Sequence, residues 1–109
     1  MRNLYKELFE VLADHGKELS DIVAVTVWDE KSRANVKIPI ADFLKLARDI
    51  TYDAGYGGTE INESLTIIGE DWWLTRGEYD GAEWFDYHTY PNWEDLPVHH
   101  ITKDEIYRR

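Results

Sequence analysis

The sequence predicts an α+β domain: a mainly antiparallel sheet of about five strands, helices packed on one of its faces, and a short C-terminal helix. Three observations predict it. Two stretches repeat apolar residues at helical spacing, and several short stretches alternate at strand spacing. An Asp-Gly pair also sits between two aromatic stretches, where a hairpin would turn. The chain order reads α-β-β-α-β-β-β. At 109 residues this is the usual size of one domain, spanning 1–109.

The first helix runs from about Asn3 to Asp14, with Leu4, Leu8, Val11 and Leu12 on one side. His15-Gly16 stops it, the glycine serving as a left-handed cap. Val23, Val25 and Val27 alternate in a strand from Asp21 to Trp28, where β-branching favours extension. Asp29 to Arg33 turns the chain into a second strand through Val36, Ile38 and Ile40. Pro39 closes that strand. The second helix, about Ala41 to Ile50, buries Phe43, Leu44, Ala47 and Ile50 and leaves Lys45, Arg48 and Asp49 outside. Gly55, Gly57 and Gly58 mark a loop.

The third strand is Leu65 to Ile68, and the fourth runs from Trp72 to Arg76. Tyr79-Asp80-Gly81-Ala82 turns into the fifth, Glu83 to about Thr89. Pro91 and Pro97 bracket an extended segment, and Thr102-Lys103-Asp104-Glu105 has the capping-box pattern of a last helical turn.

Neighbouring side chains on a strand point to opposite faces, so Trp72 and Trp73 part company, as do Trp84 and Phe85. With a two-residue turn, Gly77 faces Trp84. Trp72, Leu74, Phe85 and Tyr87 then share one face, and Trp73, Trp84, Asp86 and His88 the other. A three-residue turn with a glycine bulge shifts the pairing by one. The first register collects the better apolar set. In either, neither face is purely polar, so something covers the second one. The candidates are the tail (Trp93, Leu96, Val98, Ile101, Ile106), a second copy, or another protein. In the favoured register Arg76 lies near Glu78 and Glu83 and relieves the repulsion between them.

The chain has no cysteine, which excludes disulfides, cysteine-ligated zinc and thiol catalysis. The first residues lack an apolar signal core, and no run approaches the ~18 apolar residues of a membrane span. The expectation is a soluble, cytoplasmic protein with no membrane partner. The net charge of −10 is uneven: residues 1–54 hold eight Lys/Arg against ten Asp/Glu, whereas residues 55–109 hold four against twelve. Arg76 is the one cation between Glu60 and Asp95. Such a surface repels phosphate backbones, which argues against direct nucleic-acid binding, and attracts basic proteins.

No Walker loop, nucleophile elbow or dinucleotide fingerprint is present, and the glycines at 55–58 lack the Lys-Ser or Lys-Thr of a phosphate cradle. His99-His100 is a poor chelate in an extended segment. Asp86 and His88 share a strand face but lack a further ligand. Glu78 and Glu83 carry no pocket signal that would tune an acid–base pair. The expectation is therefore a non-enzyme without cofactor or metal.

The run from Ile67 to Phe85, with Asp71-Trp72-Trp73-Leu74-Thr75-Arg76, then Glu78-Tyr79-Asp80-Gly81 and Glu83-Trp84-Phe85, resembles a signature of small proteins encoded by phages and prophages of Gram-positive bacteria. Tyr52-Asp53-Ala54-Gly55-Tyr56-Gly57 also resembles them. Gly77 departs from the pattern, where a larger, often polar residue is expected, and the tail beyond Tyr90 is peculiar to this sequence. The resemblance implies a phage origin and no mechanism.

In that setting the first expectation is an acidic module that inhibits a basic or nucleic-acid-binding host defence protein, of anti-CRISPR or anti-restriction type. Its contact residues would be Trp72, Trp73, Arg76, Glu78, Tyr79, Asp80, Glu83, Trp84 and Asp86. Tryptophan and tyrosine are frequent hot spots, and the carboxylates would steer the partner. The second reading is a structural or regulatory phage protein that forms a homo-oligomer through the tryptophan-rich face. The third is a small-molecule or nucleotide-messenger binder with an aromatic pocket.

Overall fold

The computed structural model describes residues 1–53, 58–91 and 93–107, Trp93 in its backbone alone. The glycine loop expected around Gly55 and Gly57 and the packing of the Trp93 side chain lie outside the described residues. The fold is α+β, as the periodicities predict. A five-stranded antiparallel sheet has the order β3-β2-β5-β6-β7, beside a two-stranded sheet of β1 and β4. The main strands are β2 (Ala24–Asp29), β3 (Ala34–Ile38), β5 (Thr66–Ile68), β6 (Trp72–Tyr79) and β7 (Ala82–Thr89).

Helix α1 (Leu4–Asp14) starts at Asn3, whose Oδ1 accepts the Lys6 amide hydrogen at 3.0 Å. The same side chain donates through Nδ2 to the Arg48 carbonyl at 2.9 Å, so one asparagine serves the start of α1 and the end of α2 (Ile40–Arg48). The helix stops at His15, and Gly16 takes φ 70°. Beside Asn3 run two short strands missed by the sequence reading, β1 (Arg2–Asn3) and β4 (Thr51–Tyr52). Two residues are too few for an alternation to show.

Leu4, Leu8 and Leu12 of α1 and Phe43 and Ala47 of α2 bury against Val25, Ile67, Trp72, Leu74 and Phe85 of the sheet. Both helices thus cover the same face. Ladder pairs of Val25 with Ile67 and of Ile67 with Leu74 carry this apolar row across three strands. Tyr87 extends it and stacks on the His15 ring, centroids 3.9 Å apart.

The second hairpin has the two-residue turn. Asp80 (φ 51°) and Gly81 (φ 86°) are both left-handed, the geometry that matches strand twist. Gly77 pairs with Trp84, and Glu78 with Glu83. Gly77 has a steric reason: the Trp84 indole and the Asp86 carboxylate lie where a Cβ would stand. The C-terminal helix is one 3-10 turn, Lys103–Glu105, with the Glu105 carboxylate accepting the Thr102 amide hydrogen at 2.6 Å. Further 3-10 turns cover Leu19–Asp21 and Trp93–Asp95.

The cramped surroundings of Gly77 make a direct prediction. Gly77→Ala should destabilise the domain by about 1–3 kcal/mol through overpacking, although alanine favours an extended strand over glycine. Urea unfolding followed by tryptophan fluorescence checks it. An unchanged midpoint and spectrum would mean that Trp84 swings aside at no cost.

Candidate functional site

The nine candidate contact residues divide by strand parity. On the helix-covered face, Trp72 is 2% exposed and Glu83 1%, and the Arg76 side chain is 2% exposed. These three were expected at a binding surface and are instead interior. Trp72 packs flat over Gly69 and stacks near Tyr87. Arg76 and Glu83 belong to a buried charge cluster.

Arg76 extends from β6 beneath α1. Its Nη1 donates to Glu7 Oε1 at 3.1 Å, and its Nη2 to Glu83 Oε1 at 3.0 Å and the Tyr52 hydroxyl at 3.1 Å. The guanidinium carbon lies 4.5 Å from the Phe85 ring centre and 5.5 Å from that of Tyr52, a cation–π arrangement. The Tyr52 hydroxyl donates to Glu7 Oε2. Glu83 accepts two more hydrogens, from the amides of Glu60 at 2.7 Å and Ile61 at 3.1 Å. Arg2, half exposed, reaches within 4.0 Å of Glu7. Two buried carboxylates thus meet one buried and one peripheral cation, and each carboxylate oxygen accepts at least one hydrogen bond, while Arg76 Nε is buried without a partner among the described residues. Paired and bonded in this way, buried charges persist.

The sequence reading paired Arg76 with Glu83 correctly and missed Glu7. A signal existed: Glu7 is three residues after Leu4 and four before Val11, on the apolar stripe itself. Glu78, the other expected neighbour, is exposed, and no ion pair joins it to Arg76 among the described residues. Glu78 and Glu83 are opposite in register but belong to different environments. They share no acid–base site.

On the outer face, Trp73, Trp84 and Asp86 are half-buried and Tyr79 is exposed; Asp80 is exposed in the turn, and Glu78, paired with Glu83, is exposed at the tip of the other face. Trp73 stacks on His88 at 5.3 Å and meets Tyr90 at 5.1 Å. Trp84 donates from Nε1 to Asp86 Oδ1 at 2.6 Å. Thr75 Oγ1 and His88 Nε2 are 2.8 Å apart. These side chains pair with one another and no described helix packs on them. Among the described tail residues, Leu96, Val98, Ile101 and Ile106 do not cover them either: they are 57–91% exposed.

Thr75 with His88 has the reach of a hydroxyl and its base. The described clefts open elsewhere, and an open sheet face lacks the converging donors that would stabilise an oxyanion. Asp86 and His88 share the face as expected but are engaged by Trp84 and Thr75. No group of three or more His, Cys, Asp or Glu suited to a metal occurs among the described residues. The largest described cleft, about 610 Å³, lies at the end of α1 between Phe9, Leu12, Lys17 and Leu19. Trp72 and Trp84 each wall a smaller cleft, of 240 and 190 Å³, with no second tryptophan in either. No described helix is long and apolar enough to cross a membrane.

Arg76→Met should cost about 3–5 kcal/mol, because two buried carboxylates lose their shared partner. Chemical denaturation measures it, and a loss below about 1 kcal/mol would show that the carboxylates rehydrate freely. Burial, reinforced by the hydrogen bond to Glu7, raises the Tyr52 pKa above its ordinary value of about 10. The proton is therefore held more tightly in the folded state. That contribution is complete below about pH 10 and is lost as pH rises toward the folded pKa. Tyr52→Phe should flatten the alkaline fall in stability while lowering stability at neutral pH by about 1–3 kcal/mol. Paired pH-dependent melts read both effects.

No protein-family model matches this chain, and no curated protein or solved structure is significantly similar to it.

Proposed function

We propose that this chain is an acidic protein-binding module that engages a basic, nucleic-acid-binding host protein through the outer face and tip of the β6–β7 hairpin. The observation that carries this reading is the withdrawal of Arg76. It is the one cation between Glu60 and Asp95, and its side chain is 2% exposed. β6 and β7 carry no other Lys or Arg, and Arg2 meets the hairpin from the α1 side, where it donates to the Glu83 carbonyl at 3.4 Å. The surface formed by Glu78, Tyr79, Asp80 and Asp86 is therefore acidic, and Trp73 and Trp84 stand among the carboxylates. Rigid aromatics supply contact area at low entropic cost. The surrounding negative field speeds encounter with a positive patch.

The resemblance to phage-encoded proteins makes a host defence component, of CRISPR or restriction type, the partner class. Such a protein offers a groove built for phosphates and bases. Carboxylates spaced along a hairpin, with indoles between them, present the same alternation of negative charge and flat rings. The revised contact set is Trp73, Glu78, Tyr79, Asp80, Trp84 and Asp86.

A pull-down from bacterial host lysate at low and high salt tests the reading. A basic protein should be retained at low salt and largely lost at high salt. In the isolated complex, Glu78→Lys with Asp80→Asn should weaken binding at least tenfold. Both residues are exposed at the turn, and asparagine accepts the left-handed conformation of position 80, so the fold should survive. Binding indifferent to salt and to this double substitution would defeat the proposal.

A further inference from the structure

The tail beyond Tyr90 has a composition unlike the hairpin that it follows. From residue 55 to 90, one Lys/Arg stands against eight Asp/Glu. From Pro91 to Arg109, three Lys/Arg (Lys103, Arg108, Arg109) stand against four Asp/Glu, with His99 and His100 besides. The cations that the second half leaves outside its core are thus in the tail. The tail is also apolar and unburied. Leu96 is 60% exposed, Val98 91%, Ile101 57%, Ile106 75% and Tyr107 64%. A stretch carrying this much apolar surface on a small domain marks an interaction segment.

The outer face of the sheet has the complementary chemistry. Ile68 pairs with Ala24 on one side and with Trp73 on the other, and Trp73 pairs with His88. These residues form a half-buried row across four strands, apolar except for His88. Asp86 lies on the same face, and Asp80 stands in the turn at its tip. Tyr90, where the tail leaves β7, already lays its ring against Trp73, so the row accepts an aromatic side chain from this very segment.

We infer that the tail of one copy docks on the outer sheet face of a second copy, and that the exchange is reciprocal in a two-fold dimer. The contact is formed in trans because the described apolar side chains of the chain's own tail, Leu96, Val98, Ile101, Ile106 and Tyr107, stand in solvent. The radius of gyration agrees: 16.9 Å, against about 13 Å for a compact chain of this length. Reciprocity gives two equivalent contacts per dimer. In each, apolar tail residues cover Ile68 and Trp73 while tail cations approach the hairpin carboxylates. The inference is independent of the host-protein reading, since it concerns two copies of this chain alone.

Light scattering coupled to size exclusion tests it on the full chain. The expected mass is twice 12.9 kDa, falling toward the monomer on dilution and in high salt. Val98→Glu with Ile101→Glu, both in the exposed tail, should weaken the dimer at least tenfold with an unchanged circular dichroism spectrum. A chain ending at Tyr90 should be monomeric. Trp73→Glu should also be monomeric, and mixing it with the Val98/Ile101 variant should restore a dimer held by one intact contact. A full chain that stays monomeric at millimolar concentration overturns the inference, as does a dimer that survives truncation at Tyr90. A monomer whose tail amides are protected from hydrogen exchange would place the tail on its own sheet, and would overturn it too.

Discussion

From one position on β6, the Arg76 guanidinium donates to Glu7 on α1, Tyr52 on β4 and Glu83 on β7. These elements are far apart in sequence and have little else polar in common. Glu83 passes the constraint on by accepting the amide hydrogens of Glu60 and Ile61, which tethers the segment leading into β5. A hydrophobic contact tolerates sliding, whereas five directed bonds around two carboxylates do not. The cluster therefore fixes how α1 sits across the hairpin. Leu4, Leu8 and Phe85 then complete a core that is already in register.

That interior arrangement has an exterior consequence. A cation used in the core is unavailable to the surface, so burial of Arg76 and Glu83 leaves the hairpin exterior more one-sided than a count of charges suggests. Trp72 and Trp73 show the same division among aromatics. They are adjacent in sequence, yet one is packed on Gly69 and the other stands on an open face. A strand must serve two faces at once, and here one face builds the fold while the other carries chemistry that the fold does not need. Gly77 belongs to the second group. Its missing side chain lets Trp84 lie flat and bond to Asp86, which holds an indole in place on a surface where it would otherwise be free.

Much of this was legible in the sequence because it rests on local rules. Asp80-Gly81 set the turn, the turn set the register, and the register sorted every side chain from Trp72 to Thr89 between two faces. Helical spacing located α1 and α2. What stayed hidden was non-local. No local rule brings Glu7 beneath Arg76, 69 residues away, and a binary apolar pattern assigns both to solvent by type. Trp72, Arg76 and Glu83 were placed at a binding surface because residue type outweighed parity; the register already put them with Leu74 and Phe85. The tail misled for a related reason. Its apolar residues look like core, but composition does not say which surface they reach.

The two proposed contacts draw on one chemistry and so constrain each other. A tail that carries apolar side chains and three cations and a host protein that is basic recognise the same carboxylates and indoles, and one face cannot hold both. By linkage, each must weaken the other by the same free energy. Salt screens both, so a salt dependence alone does not distinguish them, whereas concentration does. Dimerisation strengthens as the chain accumulates, and capture of a scarce host protein is hindered by the dimer that forms. The tail then acts as a threshold. Exposed indoles are covered when many copies are present and no target is, and they are released to whichever basic surface binds them more tightly than a second copy's Val98 and Ile101.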